Sequence, residues 1–99
     1  MTPEKKVQND ILGYLHKLKE EGHPIFYERR QAGGFSYKMG IPDVYFVYNG
    51  KHVEVEVKSK NGSLRTMQEK FRDRCKLINI DYICCNDIDD FKIFMQKYI

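Results

Sequence analysis

Asn49-Gly50 stands between two runs that read as strands, and it leaves few ways for the surrounding chain to fold. A two-residue type I′ turn needs positive φ at both central positions, and asparagine followed by glycine is the strongest short-range signal for one. Before it, residues 43–48 are aromatic or β-branched apart from Asp43; after it, residues 52–58 alternate valine with a polar side chain. A turn of this length fixes the register. Tyr48 lies opposite Lys51, each step outward keeps the paired numbers summing to 99, and Asp43 therefore faces Glu56. Period-two alternation puts His52, Glu54, Glu56 and Lys58 on one face, and Val44, Phe46, Val53, Val55 and Val57 on the other. The second set is a coherent apolar surface, so the chemistry belongs to the first.

The other elements follow from their own signals. Thr2-Pro3 opens a helix, with the hydroxyl as N-cap and proline at the first helical position. Val7, Ile11, Tyr14, Leu15 and Leu18 recur at helical spacing until Gly22 and Pro24 end the run, which predicts a helix over about residues 3–21. Residues 25–30 read as a short strand, and residues 31–40, with Gly33, Gly34 and Gly40, as a mobile loop. After Asn61-Gly62, the spacing of Leu64, Met67, Phe71, Cys75 and Ile78 predicts a helix ending near Asn79. Residues 82–85 form a further strand, and Ile88, Phe91, Phe94, Met95 and Tyr98 a closing helix capped by Asn86 or Asp87. The order is αβββαβα, an α/β chain with a central mixed sheet flanked by helices, and residues 1–99 read as one domain.

Composition narrows the classes. Hydrophobic residues are 41% and charged residues 31%, a globular balance. No apolar run approaches the ~20 residues that span a bilayer, and the polar start lacks the apolar core of a signal peptide, so a cytoplasmic protein of a bacterium or a virus-infected cell is expected, with no membrane partner. Cys75, Cys84 and Cys85 are odd in number, and two of them are adjacent in an apolar stretch, which predicts reduced core thiols. With the scattered His16, His23 and His52 they do not make zinc-ligand spacing. A net charge of +3 permits nucleic-acid binding without demanding it.

Directly opposed strand residues have Cβ atoms roughly 4.5 to 5.5 Å apart, so the carboxylates of Asp43 and Glu56 can converge. Two carboxylates this close repel each other unless a cation lies between them. Mg²⁺ suits such a pair, because it takes one or two carboxylates and keeps several waters that substrate oxygens can replace. Lys58, about 6.6 Å beyond Glu56 along the strand, projects its ammonium towards the same pocket, where it could orient an attacking water or stabilise charge on a phosphate. Acid-x-Lys on a strand is commonly a solvated surface pair, and it is the opposed Asp43 that sets this one apart. Glu54 lies opposite Tyr45, one pleat from the convergence, and reads as a supporting or solvent-exposed residue.

With those residues in place the chain resembles the virus-type replication-repair nuclease (VRR-NUC) domain of the PD-(D/E)xK superfamily. The resemblance is carried by Gly40-Ile41-Pro42-Asp43, by Val53-Glu54-Val55-Glu56-Val57-Lys58, by residues 62–68 ending in Gln68, and by Glu4 and Gln8 on the first helix. It implies the restriction-endonuclease-like fold and hydrolysis of phosphodiester bonds with Mg²⁺ or Mn²⁺. It also implies Asp43, Glu56 and the backbone carbonyl of Val57 as metal ligands, with Lys58 positioning the water. Glu4 would reach the site through a water or a second metal, and Gln68 would support Lys58 or the phosphate.

Arg29, Arg30, Lys38, Lys60 and Arg65 flank this site and could neutralise phosphates without reading sequence. Gln31 ends the same strand region, and Phe35 and Tyr37 could stack on an unpaired base or pin the loop, pinning being the favoured role. The expected activity is a structure-selective endonuclease that resolves four-way (Holliday) DNA junctions as a homodimer, matching the junction's own twofold symmetry. The dimer surface would be Phe94 and Tyr98 or residues 35–39. The alternatives are a non-catalytic DNA-binding module that keeps the fold, a flap-type nuclease and an RNase.

Overall fold

The structure, a computed structural model, describes residues 2–30 and 37–99. Gln31 and Phe35, named above as loop residues, lie outside the described part. Helix α1 spans Pro3–Glu20; the Thr2 hydroxyl accepts from the Lys5 N–H at 3.1 Å, and Gly22 at φ +93° closes the helix in the left-handed conformation that glycine adopts without strain. Strand β1 is Ile25–Arg29, β2 Val44–Tyr48 and β3 Lys51–Val57. Helix α2 is Thr66–Leu77, β4 Asp81–Cys85 and α3 Ile88–Met95. Asp87, one of the two caps anticipated, accepts from the Asp90 N–H at 2.8 Å. Between β1 and β2 the sequence reads as loop, but Tyr37 and Lys38 are helical and end in a turn at Met39–Gly40.

The four strands form one mixed sheet in chain order, antiparallel from β1 to β3 and parallel between β3 and β4. The hairpin register is the one the turn dictates: Val44 pairs Val55 and Tyr48 pairs Lys51, with Asn49 and Gly50 at φ +48° and +86°. Val44, Phe46, Val53, Val55 and Val57 are buried on the face that meets Ile11, Leu15 and Leu18 of α1 and Phe91 and Met95 of α3. Phe94 and Tyr98 pack against that core: the Tyr98 ring lies 5.5 Å from Phe94 and 5.9 Å from Phe46, edge-on to the latter. Cys75 and Cys85 are buried as expected, whereas Cys84 is exposed, because strand alternation turns it to the opposite face from Cys85. Among the described residues no helix is long and apolar enough to cross a membrane.

Candidate active site

At the end of the sheet where β2 begins and β3 finishes, Glu4 and Gln8 of α1 and Gln68 of α2 reach the polar groups of the two strands. Glu56 is 5% exposed; its Oε1 accepts from Gln68 Nε2 at 2.5 Å and lies 3.8 Å from Lys58 Nζ. Gln68 is itself fixed, since its side-chain oxygen accepts the N–H of Arg65 at 2.8 Å as α2 begins. The amide of Gln68 thus holds Glu56, where the sequence points to support of Lys58 or of the phosphate. Asp43 is held the same way from the other helix, with Gln8 Nε2 donating to its Oδ2 at 2.9 Å. Among the described residues, each carboxylate has one oxygen bound to an amide N–H while its other oxygen accepts no hydrogen bond.

Gln8 was the residue that motif reasoning passed over as a site residue. Its signal was present: it is a buried amide three residues before Ile11 and seven before Leu15, in line with the apolar stripe of α1. A buried polar group needs a partner, and the partner is Asp43. Glu4, one turn earlier on the same face, accepts the backbone N–H of Ser59 at 3.3 Å.

The Pro42–Asp43 entry to β2 is clamped from behind. Arg30 donates through Nη1 to Pro42 O at 2.8 Å, and its backbone N–H to Asp43 O at 2.6 Å. The same guanidinium forks onto Glu54, Nη1 to Oε1 at 2.6 Å and Nη2 to Oε2 at 2.8 Å. His52 Nε2 lies 2.5 Å from Glu54 Oε2. Glu54 is therefore not solvent-exposed; it is 4% exposed and anchors Arg30. Arg30, expected at phosphates, has both terminal nitrogens committed to this clamp. Gly40 completes the support at φ +70°, where a Cβ would come within 2.4 Å of the Met67 backbone. Only glycine lets the chain pass that close to the start of α2.

Electrostatically, Glu56 is the anomalous group. Its carboxyl is pushed up to about 7 by burial, with Asp43 and Glu4 adding to the rise and Lys58 and Arg65 opposing it. A carboxyl in that state loses its proton to solvent readily once a cation binds beside it and compensates the charge. Among the described residues no group of three or more His, Cys, Asp or Glu side chains is gathered for a metal. What the site offers is a smaller donor set: Asp43, Glu56 and a backbone carbonyl.

The carbonyl follows from the ladder. Lys58 N donates to Cys85 O at 3.0 Å, so the backbone groups of Lys58 face β4 and those of Val57 face β2. The β2–β3 pairing ends at Val44 and Val55, before Val57 is reached, and Pro42 in the chain leading into β2 has no N–H to give. Two carboxylates and a carbonyl, with the remaining positions left to water, match the coordination habit of Mg²⁺.

The remaining basic residues are spread around this end of the sheet. Arg65 lies over the Tyr37 ring at 3.9 Å and donates to Tyr37 O at 3.2 Å, so Tyr37 and Arg65 hold each other. Arg29, Lys38 and Lys60 are exposed.

No protein-family model matches the sequence, and no curated protein matches it. A solved structure described as a "VRR_NUC domain" is similar to this one with a TM-score of 0.79, over 100% of both chains and at 19% identity. The chain has the VRR-NUC fold. At that identity the likeness is one of architecture: a mixed sheet with flanking helices in the order αβββαβα expected from the periodicity and turns of the sequence. In the VRR-NUC fold the end of the sheet where α1, β2, β3 and α2 meet is where Asp43, Glu56, Lys58, Gln8 and Gln68 come together in this chain.

Proposed function

We propose that this protein is a divalent-metal-dependent DNA endonuclease that hydrolyses phosphodiester bonds. The observation that carries the reading is the pair Asp43 and Glu56, each held by a glutamine amide beside Lys58, on a fold of the nuclease type. Asp43, Glu56 and the Val57 carbonyl would hold Mg²⁺ or Mn²⁺, which supplies charge to polarise the phosphate and to lower the pKa of water. Lys58 orients the attacking water and offsets negative charge on the phosphate. The water oxygen bonds to phosphorus, one P–O ester bond breaks, and the departing oxygen takes up a proton. Gln8 and Gln68 keep the two carboxylates at fixed angles. Glu4 acts as an outlying acid beside Ser59, and Arg29, Lys38, Lys60 and Arg65 meet backbone phosphates, with Arg30 setting Asp43 in place.

A non-catalytic binding module would have no use for two converging carboxylates, one of them buried, at a surface meant for a polyanion. Labelled DNA and RNA of matched sequence, incubated with and without Mg²⁺, test the reading. Metal-dependent cutting of DNA is expected; cutting of RNA alone would make the protein a ribonuclease, and binding without cutting would make it a DNA-binding module.

The finer form of the proposal is a homodimer that cuts four-way junctions by paired incisions, one from each copy. Phe94 and Tyr98 are partly buried against the core, and Tyr37 and Met39, 56% and 42% exposed, are the surface better placed for pairing. Light scattering together with mapping of cuts on each junction strand tests it. A monomer that nicks only one strand of a flap would make the enzyme a flap-type nuclease.

A further inference from the structure

A groove of about 710 Å³ runs between α2 and β4, within the ~300–1,000 Å³ of small-ligand clefts. Its near end adjoins the candidate active site. Cys84 is in register with Glu56 and Tyr82 with Glu54 on the neighbouring parallel strand, so all four side chains share one face of the sheet. From Cys84 the groove follows β4 back to Asp81, three residues or about 10 Å. Leu64 and the partly buried Tyr82 give it apolar lining, and Arg72 and Lys76 of α2 line it as well, Arg72 near enough to Tyr82 for their charges to interact.

Charge favours an anion there. Lys51, Arg72 and Lys76 line the groove against one carboxylate, Asp81. That carboxylate already accepts the Tyr98 hydroxyl and lies 3.9 Å from Lys97 Nζ. Arg72 also touches Asp73 at 3.1 Å, an exposed pair outside the lining that solvent screens.

We infer that this groove binds a single nucleotide unstacked from its duplex, with the base against Tyr82 and Leu64 and the phosphate towards Arg72 and Lys76. Cation-lined grooves with an aromatic wall are the means by which proteins take single strands, because every base has a face to stack. A run of about 10 Å accommodates a nucleotide and not a turn of duplex. The inference rests on the nuclease reading and deepens it: at a branch point the nucleotide next to the scissile bond is taken up unpaired, and a single-stranded tail offers such a nucleotide ready-made.

The test is fluorescence anisotropy in EDTA, where no cutting occurs, with a blunt duplex and the same duplex carrying a single-stranded tail. The parent protein should bind the tailed DNA at least about fivefold more tightly. Replacing Arg72 and Lys76 together by alanine, or Tyr82→Leu, should erase that preference and leave blunt-duplex affinity within about twofold, while Tyr82→Phe keeps it. Equal binding of both DNAs by the parent overturns the inference, as does a preference that survives in the Arg72/Lys76 double variant, whose substituted side chains are exposed and whose fold should be unaffected. Because the readout needs no catalysis, the two readings fail separately. A protein that prefers tailed DNA yet never cuts refutes the nuclease reading, and one that cuts with Mg²⁺ but binds both DNAs alike refutes the groove.

Discussion

Glu56 is held in a position that disfavours its own charge. Its carboxyl is pushed up to about 7, above the ordinary value of 4.5. A folded-state pKa above the unfolded one means that the native protein binds the proton more tightly, so the stabilisation is full below about 4.5 and is lost as pH rises through about 7. The shift corresponds to at most about 3 kcal/mol. Urea melts of the metal-free protein and of Glu56→Gln between pH 4.5 and 8 should therefore diverge, the parent losing stability relative to the variant by up to that amount. Parallel profiles would contradict the burial of a charge at this position. Mg²⁺ should close the gap above pH 7 by binding the ionised form. The thiols make a second, contrasting expectation. Burial pushes Cys85 up to about 12, while Cys84 is exposed. Cys85→Ser should cost about 1–2 kcal/mol in a melt and Cys84→Ser under about 0.5, and neither should change the metal requirement. Chelator-resistant zinc that vanishes with Cys84→Ser would overturn this reading of the thiols.

Among the elements, the segment entering β2 is over-determined. Gly40 passes the backbone of α2 where no other residue fits, and Arg30 and Glu54 hold Pro42 and Asp43 from behind. Gly40→Ala adds a left-handed strain of about 1 kcal/mol to a backbone clash, so it should lower stability by at least about 2 kcal/mol and Tm by roughly 10 °C. An unchanged Tm would mean that the loop does not approach α2 as described. Glu54→Ala leaves the Arg30 guanidinium without its carboxylate and should cost about 3–5 kcal/mol. Replacing Arg30 and Glu54 together by alanine should cost less than the sum of the two single changes, because each single change already breaks the pair. Additive losses would show that the two residues do not act as a unit. The register of β2 against β3 could be read from Asn49-Gly50, since a two-residue turn admits one pairing. The clamp could not: Arg30 and Glu54 are distant in sequence, and nothing local distinguishes a paired arginine from one that meets phosphate.

At the scale of the whole molecule, element order and the apolar face followed from periodicity, and Asp43, Glu56 and Lys58 meet because the hairpin forces them together. What was not legible came from helices arriving from elsewhere in the chain. Gln8 on Asp43, Gln68 on Glu56 and the helical turn at Tyr37 all depend on how α1 and α2 dock on the sheet, which no short-range pattern encodes. Phe94 and Tyr98 are likewise ambiguous between core and surface in the sequence, and the structure packs both, partly buried, against the core. The central claim concerns what this meeting of elements does, and it is tested most directly by single-turnover cleavage of an end-labelled four-way DNA junction with the parent protein and Glu56→Gln, with Mg²⁺ and with EDTA. The account predicts cutting by the parent only with Mg²⁺, a rate at least about 100-fold lower for the variant, and binding of the junction by the variant that is unchanged or tighter because a negative charge has been removed. Mg²⁺-dependent cutting by Glu56→Gln at near the parent rate would contradict it.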